Sequence, residues 1–275
     1  MSFVPSASTR LFALLGDPVS HSLSPAFQNA ALRAAGLDGV YVALRCSPPE
    51  VEGLIRGIAH AGGGGNVTVP HKEAAAAAVD RRTATVERTG ACNTFWLEDG
   101  EVWGDNTDVA GARAAISAVA GDDAPESVLV IGAGGAARAV LCALEESARH
   151  VTLLNRDIGR PHELAARFAS ESLEIDVLPL DADLSDRSFG LAINSTSLGL
   201  RAADPLPPTG GARFAAALDV VYSPGGTAWV HHVRAHGIPA ADGKEMLLQQ
   251  GAAAFRRWWG AEPPVGAMRA ALGAG

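Results

Sequence analysis

Short apolar runs recur along the chain, and between them lie longer stretches whose apolar positions return at helical spacing. Runs of the first kind predict buried strands, and stretches of the second kind predict helices that cover them. Arg10 to Leu15 reads as a strand that stops at Gly16. Ser24 is placed to N-cap a helix with Pro25 at its first position and Gly36 at its end. Phe27, Ala30, Ala31 and Ala34 give that helix its apolar face. Tyr41 to Arg45 predicts a second strand and Pro49 to Ala61 a second helix. Asn66 to Val69, preceded by the glycines at 62 to 65 and stopped by Pro70, predicts a third strand. A third helix follows through the alanines at 74 to 78. This alternation predicts an open parallel α/β unit.

Thr94 to Leu97 and Glu101 to Trp103 flank Glu-Asp-Gly, the signature of a hairpin. Thr107 to Val119 has the pattern of a helix, and a polar segment, Gly121 to Glu126, leads out of it. Beyond that segment strands are expected at Val128–Ile131, Val151–Leu154, Ile175–Leu178, Leu191–Asn194 and Leu218–Tyr222, with helices between most of them. Lys244 to Trp259 is the last strong helix. The fold class is therefore α/β, with two open α/β domains and the second a Rossmann-like, doubly wound sheet. The boundary between them falls on the Thr107–Val119 helix.

Ser127 to Glu146 is the most informative stretch of the second domain. The apolar run Val128–Ile131 stops at Gly132-Ala-Gly-Gly, and a helix-forming run follows at once. Gly132 permits the tight turn, Gly134 lets backbone approach a phosphate, and Ala137 sits where helix and strand pack closely. The free N–H groups and the positive end of the helix dipole suit a dinucleotide pyrophosphate. Asn155-Arg156-Asp157 ends the following strand, where the adenosine ribose is read. Arg156 and Arg160 favour a 2′-phosphate and hence NADP, whereas Asp157 favours a free 2′-hydroxyl and hence NAD.

Length and charge narrow the picture. The 275 residues suit one large or two ordinary domains, and 48% hydrophobic content is enough to give each a buried core. A net charge of −8 supplies no basic field for nucleic acid or an anionic membrane surface. The three scattered cysteines, Cys46, Cys92 and Cys142, form neither a metal-binding spacing nor a disulfide framework. With no signal-peptide pattern and no run of about 18 apolar residues, the expected location is the cytoplasm.

The candidate chemistry sits at predicted element ends. Ser22 and Ser24 lie at a helix entrance, where hydroxyls and N–H groups can hold a carboxylate, although Ser24 also suits a simple N-cap. Asn66 and Thr68 share one face of a strand, with Lys72 just beyond it. Asn93 and Thr94 follow a Gly-Ala-Cys turn, and Asp108 opens a helix. A Lys–Asp pair can manage the proton while a hydride moves between an alcohol and a nicotinamide. Gln250 lies between Leu247 and Ala254 on an apolar helix face marked also by Met246, Ala253 and Trp258, so its amide points inward toward backbone or a ligand. No role falls to His60, His71, His150 or His162, and His231-His232, on a helix beginning near Thr227, lacks an acid at metal-ligand spacing.

With these segments in order, the chain resembles the shikimate dehydrogenase family over nearly its full length. GDPVSHSLSP is similar to that family's substrate loop, GGNVTVPHK to its catalytic-lysine segment, and GACNT and GDNTDVAG to its next two motifs. GAGGAARA with NRD resembles its cofactor turn and ribose loop, and INSTSLGL, DVVYSPGGT and GKEMLLQQGAAAFRRW its C-terminal signatures. The resemblance implies a substrate-binding, catalytic domain at 1–109 with 244–275, an NADP-binding domain at 110–243, and a cleft separating them. It implies reversible NADP(H)-dependent reduction of 3-dehydroshikimate to shikimate, a step of chorismate and aromatic amino-acid biosynthesis, by a monomer or homodimer. Lys72 and Asp108 match the catalytic pair. Ser22, Ser24, Asn66, Thr68, Lys72, Asn93, Asp108, Tyr222 and Gln250 match substrate ligands, with Gln250 delivered by a last helix that returns to the first domain. Gly132, Ala133, Gly134, Gly135, Ala136, Asn155, Arg156, Arg160, Thr196, Val220 and Gly243 match the region of cofactor contact. No metal is implied.

Three positions depart from the family pattern. Asp157 stands where NADP-using members usually carry Thr or Ser, which leaves NAD as an alternative cofactor. Leu200 replaces a common Met, and Gly225-Gly226 with Trp229 replace the usual continuation of the Tyr222 motif. Ser24 favours shikimate over quinate, since quinate-preferring relatives often carry Thr there. Two further readings stand beside the main one: a quinate or aminoshikimate dehydrogenase using NAD, and a non-catalytic nucleotide-binding protein. The second would be expected to lose Lys72 or Asp108, and this chain keeps both.

Overall fold

In the computed structural model, which describes residues 4–121, 125–201 and 203–273, the chain divides into two compact units. The first comprises residues 1–108 and 248–275, the second residues 109–247. Residues 122–124 of the polar segment Gly121 to Glu126 lie outside the described residues.

The first unit is built on β1 (Arg10–Gly16), β2 (Gly39–Arg45), β3 (Gly64–Val67), β4 (Arg81–Arg82), β5 (Thr94–Glu98) and β6 (Glu101–Asp105), in the sheet order β2-β1-β3-β5-β6-β4. The sheet is mixed rather than parallel, because β5 runs antiparallel to both β3 and β6. The β5–β6 pair is a hairpin, whose tight turn is closed by the positive φ values of Asp99 and Gly100, 52° and 80°. Helices α1 (Ser24–Ala35), α2 (Val51–His60), α3 (Lys72–Ala78) and α4 (Ala84–Thr89) connect the strands. Ala13, Leu15, Ile55, Val67, Phe95 and Val102 form part of its core, where each large side chain contributes about 1.5–3 kcal/mol on burial.

Several sequence expectations need correction here. Ser24 is the first residue of α1 but not its side-chain cap; Leu23 holds the N-cap position and no side chain caps the helix. The buried face of α1 is Ser24, Phe27, Gln28, Ala31 and Leu32, and Ala34 is exposed. The helix is thus rotated so that Gln28 Nε2 can donate to the Gly251 carbonyl at 3.0 Å. The third strand ends at Val67, because the chain turns sharply through Thr68 to Pro70 to enter α3. His71 is buried, its Nε2 lying 2.9 Å from the Cys46 carbonyl oxygen.

Helix α5 (Asp108–Ala120) leads into the second unit. Strands β7 (Ser127–Ile131), β8 (His150–Asn155), β9 (Glu174–Pro179), β10 (Ser188–Asn194), β11 (Arg213–Asp219) and β12 (Ala240–Ala241) form one parallel sheet in the order β12-β11-β10-β7-β8-β9. Strand order reverses at β7, the start of the doubly wound pattern. Helices α6 (Gly135–Leu144), α7 (Gly159–Phe168) and α8 (Ala228–Ala235) cover it. Strand β11 begins at Arg213 and stops at Asp219, so the expected strand at 218–222 is displaced toward the N-terminus. Helix α9 (Lys244–Trp259) contains the second boundary, and α10 (Val265–Gly273) packs on α1 within the first unit.

Candidate active site and dinucleotide cradle

Strand register gathers the polar residues of the first unit. Asn66 on β3 pairs with Thr94 on β5, and Thr94 pairs with Asp105 on β6. One end of the sheet therefore carries Asn66, Asn93 and the Asn106-Thr107-Asp108 segment side by side. Lys72 enters from the first turn of α3, and its backbone carbonyl accepts the Cys92 N–H at 2.9 Å. Its ammonium forms an ion pair with Asp108 Oδ2, both side chains being mostly buried.

Asn93 organises the cluster. Its Nδ2 donates to Asp108 Oδ1 at 2.8 Å and to Gln250 Oε1 at 3.4 Å. Its Oδ1 accepts from the Thr107 N–H at 2.8 Å and from the hydroxyls of Thr94 and Thr107 at 2.9 and 3.0 Å. Asn66 Nδ2 donates to the Asn93 carbonyl at 3.1 Å and to Thr94 Oγ1 at 2.9 Å. Asn66 Oδ1 accepts the Tyr41 phenol at 2.8 Å. Burial pushes the Tyr41 phenol well above its ordinary pKa, opposed by a hydrogen bond with Ser24. Ser22 Oγ in turn accepts the Ser24 N–H at 3.2 Å. Continuous contacts thus join Ser22, Ser24, Asn66, Asn93, Asp108, Lys72 and Gln250. Thr68 stands apart: it is half-buried beyond the strand, and among the described residues its hydroxyl has no hydrogen-bond partner.

Gln250 is inward, as its spacing predicts, at 8% exposure. Its helix buries Leu248, Ala252 and Phe255, while Leu247 and Ala253 are only half-buried. Tyr222 belongs to the second unit, in the segment after β11, half-buried with its phenol raised by burial.

The second unit carries the glycine turn. Gly132 has φ +103° and donates its N–H to the Leu154 carbonyl at 2.7 Å; a Cβ there would press on Thr196 Cγ2 at 2.7 Å. Gly134 and Gly135 face open space, and no side chain caps α6. That combination leaves room and N–H donors for a pyrophosphate, so the residues fit a dinucleotide. Asp157 Oδ1 accepts the Gly159 N–H at 2.9 Å, and its carbonyl accepts from Asn155 at 2.6 Å. Its carboxylate is therefore bound into the entry to α7, while Arg156 and Arg160 are exposed and, among the described residues, have no ion-pair partner. A Cβ on Gly243 would collide with the Val220 carbonyl, so the backbone can pass only as glycine.

The sequence pattern did not single out Tyr41, Asn194, Asp219 or Arg257. Asn194 Oδ1 accepts the Thr196 hydroxyl at 2.6 Å, and Asn194 Nδ2 donates to Asp219 Oδ1 at 2.8 Å. Asp219 also accepts from Thr227 at 2.7 Å, and burial raises its carboxyl against these bonds. The available signal was a polar residue closing each of two apolar strands, at Asn194 and Asp219. Among the described residues no group of three or more His, Cys, Asp or Glu could hold a metal ion, and no helix is long and apolar enough to cross a membrane.

Comparison with known proteins bears on the chain as a whole. Residues 14–95 match the shikimate dehydrogenase substrate binding domain, and residues 243–272 the shikimate 5′-dehydrogenase C-terminal domain. The shikimate dehydrogenase (NADP(+)) of Rubrobacter xylanophilus is 43% identical over 272 residues, covering 96% of this chain and 95% of its own. That of Methylocella silvestris is 40% identical over 264 residues, covering 94% and 93%. The crystal structure of shikimate dehydrogenase from Aquifex aeolicus superposes with a TM-score of 0.87 at 33% identity, over 98% of this chain and 99% of that one. Shikimate 5-dehydrogenase from Thermus thermophilus, solved with NADP(H) and shikimate, gives 0.82 at 36% identity, over 96% and 98%. Relatives this similar over nearly all of both chains leave one conclusion: the chain belongs to the shikimate dehydrogenase family.

Proposed function

We infer that this protein is an NADP-dependent shikimate dehydrogenase, which reversibly reduces 3-dehydroshikimate to shikimate. The observation that carries this reading is the Lys72–Asp108 ion pair, braced by Asn93 and lying beside Gln250. NADPH supplies the hydride to the ring ketone. Lys72, as the ammonium, donates the proton to the ketone oxygen as it becomes a hydroxyl, and accepts it in the reverse direction. Asp108 holds the Lys72 side chain on that oxygen and accepts from a ring hydroxyl. Ser22 and Ser24 take the substrate carboxylate with neutral donors, which avoids burying a second charge. Asn66, Thr68, Asn93 and Gln250 read the remaining hydroxyls. Tyr222 rests on the family resemblance alone, and Tyr222→Phe should raise the KM for shikimate if it touches substrate.

In the second unit, Gly132 to Ala136 hold the pyrophosphate, Thr196, Val220 and Gly243 line the nicotinamide side, and Asn155, Arg156 and Arg160 meet the adenosine ribose. Because the Asp157 carboxylate is occupied by the Gly159 N–H, the two arginines are left to pair with a 2′-phosphate.

Steady-state assays crossing shikimate and quinate with NADP+ and NAD+ test the reading. The expected best pair is shikimate with NADP+; quinate with NAD+ as the best pair would overturn both assignments. Lys72→Ala should lower kcat by roughly 10²–10⁴-fold with NADPH affinity intact. Arg156→Ala should raise the KM for NADP+ and leave that for NAD+ unchanged.

A further inference from the structure

Asp105 is a buried carboxylate that the reaction does not use, at 6% exposure. It closes β6, three residues before Asp108. Oδ1 accepts the Thr83 and Thr85 hydroxyls at 2.7 and 2.6 Å and the Asn106 N–H at 2.7 Å. Oδ2 accepts Arg257 Nε at 2.9 Å. Burial acts to raise the Asp105 carboxyl, but the threonine hydroxyls and the Arg257 charge outweigh it and hold it below the ordinary carboxylate range. Its neighbour Asn106 is also buried and donates to Thr89 Oγ1 at 2.9 Å. The peptide that leads into Asp108 is therefore tied down from both sides.

Arg257 comes from α9, the helix of Gln250, seven residues further on. Seven residues are two helical turns, so both residues lie along one side of the helix. The Arg257 guanidinium also lies 5.5 Å from the Trp96 ring centroid, over a ring stacked on Trp103. Gln250 Oε1 itself accepts from Asn93 Nδ2 at 3.4 Å. This ion pair joins the chain that carries Asp108 to the helix that carries Gln250, beside the hydrogen bonds of Gln28 Nε2 to the Gly251 carbonyl at 3.0 Å and of Trp258 Nε1 to the Phe95 carbonyl at 3.2 Å, which reach other parts of the first unit.

We propose that Asp105 and Arg257 are a positioning pair, which sets the register of α9 against the 106–108 segment and so fixes Gln250 beside Asn93 and Asp108. Neither side chain touches the reacting groups; Arg257 acts through Gln250, and Asp105 acts through Arg257 and through the peptide that leads into Asp108. The inference rests on the dehydrogenase reading for its readout.

The test is a double-mutant cycle on the whole enzyme with Arg257→Met and Gln250→Ala, run well below the unfolding midpoint of each variant. Methionine keeps an unbranched stem and removes the charged fork. Arg257→Met should raise the KM for shikimate about tenfold, with NADPH affinity unchanged. In the Gln250→Ala background the same substitution should have little further effect on KM. Arg257→Lys, which keeps the charge, should recover part of the loss, and it carries the same cycle should the methionine variant not fold. An unchanged KM in Arg257→Met overturns the proposal. So does full additivity with Gln250→Ala, the result a merely structural brace would give. A wild-type enzyme that turns over no shikimate would instead refute the assigned activity, a result distinct from either.

Discussion

Asn93 has no hydrogen-bonding freedom left. The Thr107 N–H can only donate, so the Asn93 atom facing it must be the oxygen, and the amide nitrogen must then face Asp108. The orientation of this amide is set by backbone rather than by choice of rotamer. Asn93→Asp keeps the shape but puts a carboxylate oxygen against Asp108. It should lower kcat/KM about 10–100-fold, the equivalent of losing a hydrogen bond of ~1.5–3 kcal/mol to a charged group; steady-state kinetics at neutral pH check this. Asp105 gives a second prediction at this scale. Its pKa in the folded protein lies below the ordinary value of about 3.9. Its contribution to stability is therefore fully present above that value and is lost as pH falls through the lower, folded one. Asp105→Asn should make stability less steeply pH-dependent below about pH 4, measured by denaturant unfolding across that range.

Among the elements, α9 depends on close approach. Gly251 faces Phe27 of α1, and a Cβ there would lie 2.7 Å from Phe27 Cζ and 3.1 Å from Gln28 Nε2. Gly251→Val should destabilise the first unit by about 1–3 kcal/mol through overpacking and raise the KM for shikimate by shifting Gln250; thermal unfolding and kinetics together check it. The elements also show what the sequence made legible. Runs such as Val128–Ile131 and Leu191–Asn194 are apolar on both faces, and they proved to be central strands of a parallel sheet. The Gly132 turn, the Glu-Asp-Gly hairpin and the start of a helix near Thr227, whose hydroxyl accepts the Val230 N–H, were legible because each has a local chemical cause. Strand β4 was not, since two exposed arginines carry no apolar signal and gain strand geometry only by pairing with β6. The alanines of Arg213–Asp219 hid the start of β11, because alanine prefers helix and only sheet burial overrides it. Most members of the hydrogen-bonded cluster around Asn93 stand in motifs that the sequence shows, but Arg257 does not. Its partner is 152 residues away, and its own side chain stays partly exposed near a helix end, as an ordinary surface charge does.

At the scale of the molecule, each unit has its own apolar core, and the ligands assigned to each are distinct. Hydrogen exchange should show this directly. Shikimate should protect amides near Asn66, Asn93 and Gln250, and NADP+ those of Gly132–Ala136 and Asn155–Arg160. Each ligand at 100 times its Kd should add about 2.7 kcal/mol to stability. Protection by shikimate confined to 127–160 would contradict the assignment.

The first unit is assembled from two pieces of chain separated by residues 109–247. During synthesis its sheet leaves the ribosome early, whereas the part of α9 that carries Gln250, Phe255 and Trp258 arrives only after the entire second unit has been translated. At roughly 5–20 residues per second that interval is on the order of ten seconds. For that time the pocket of Phe12 and Tyr41 that receives Trp258 has no cover. The nascent chain is accordingly most exposed to proteases and to chaperones in the interval before its last two helices emerge.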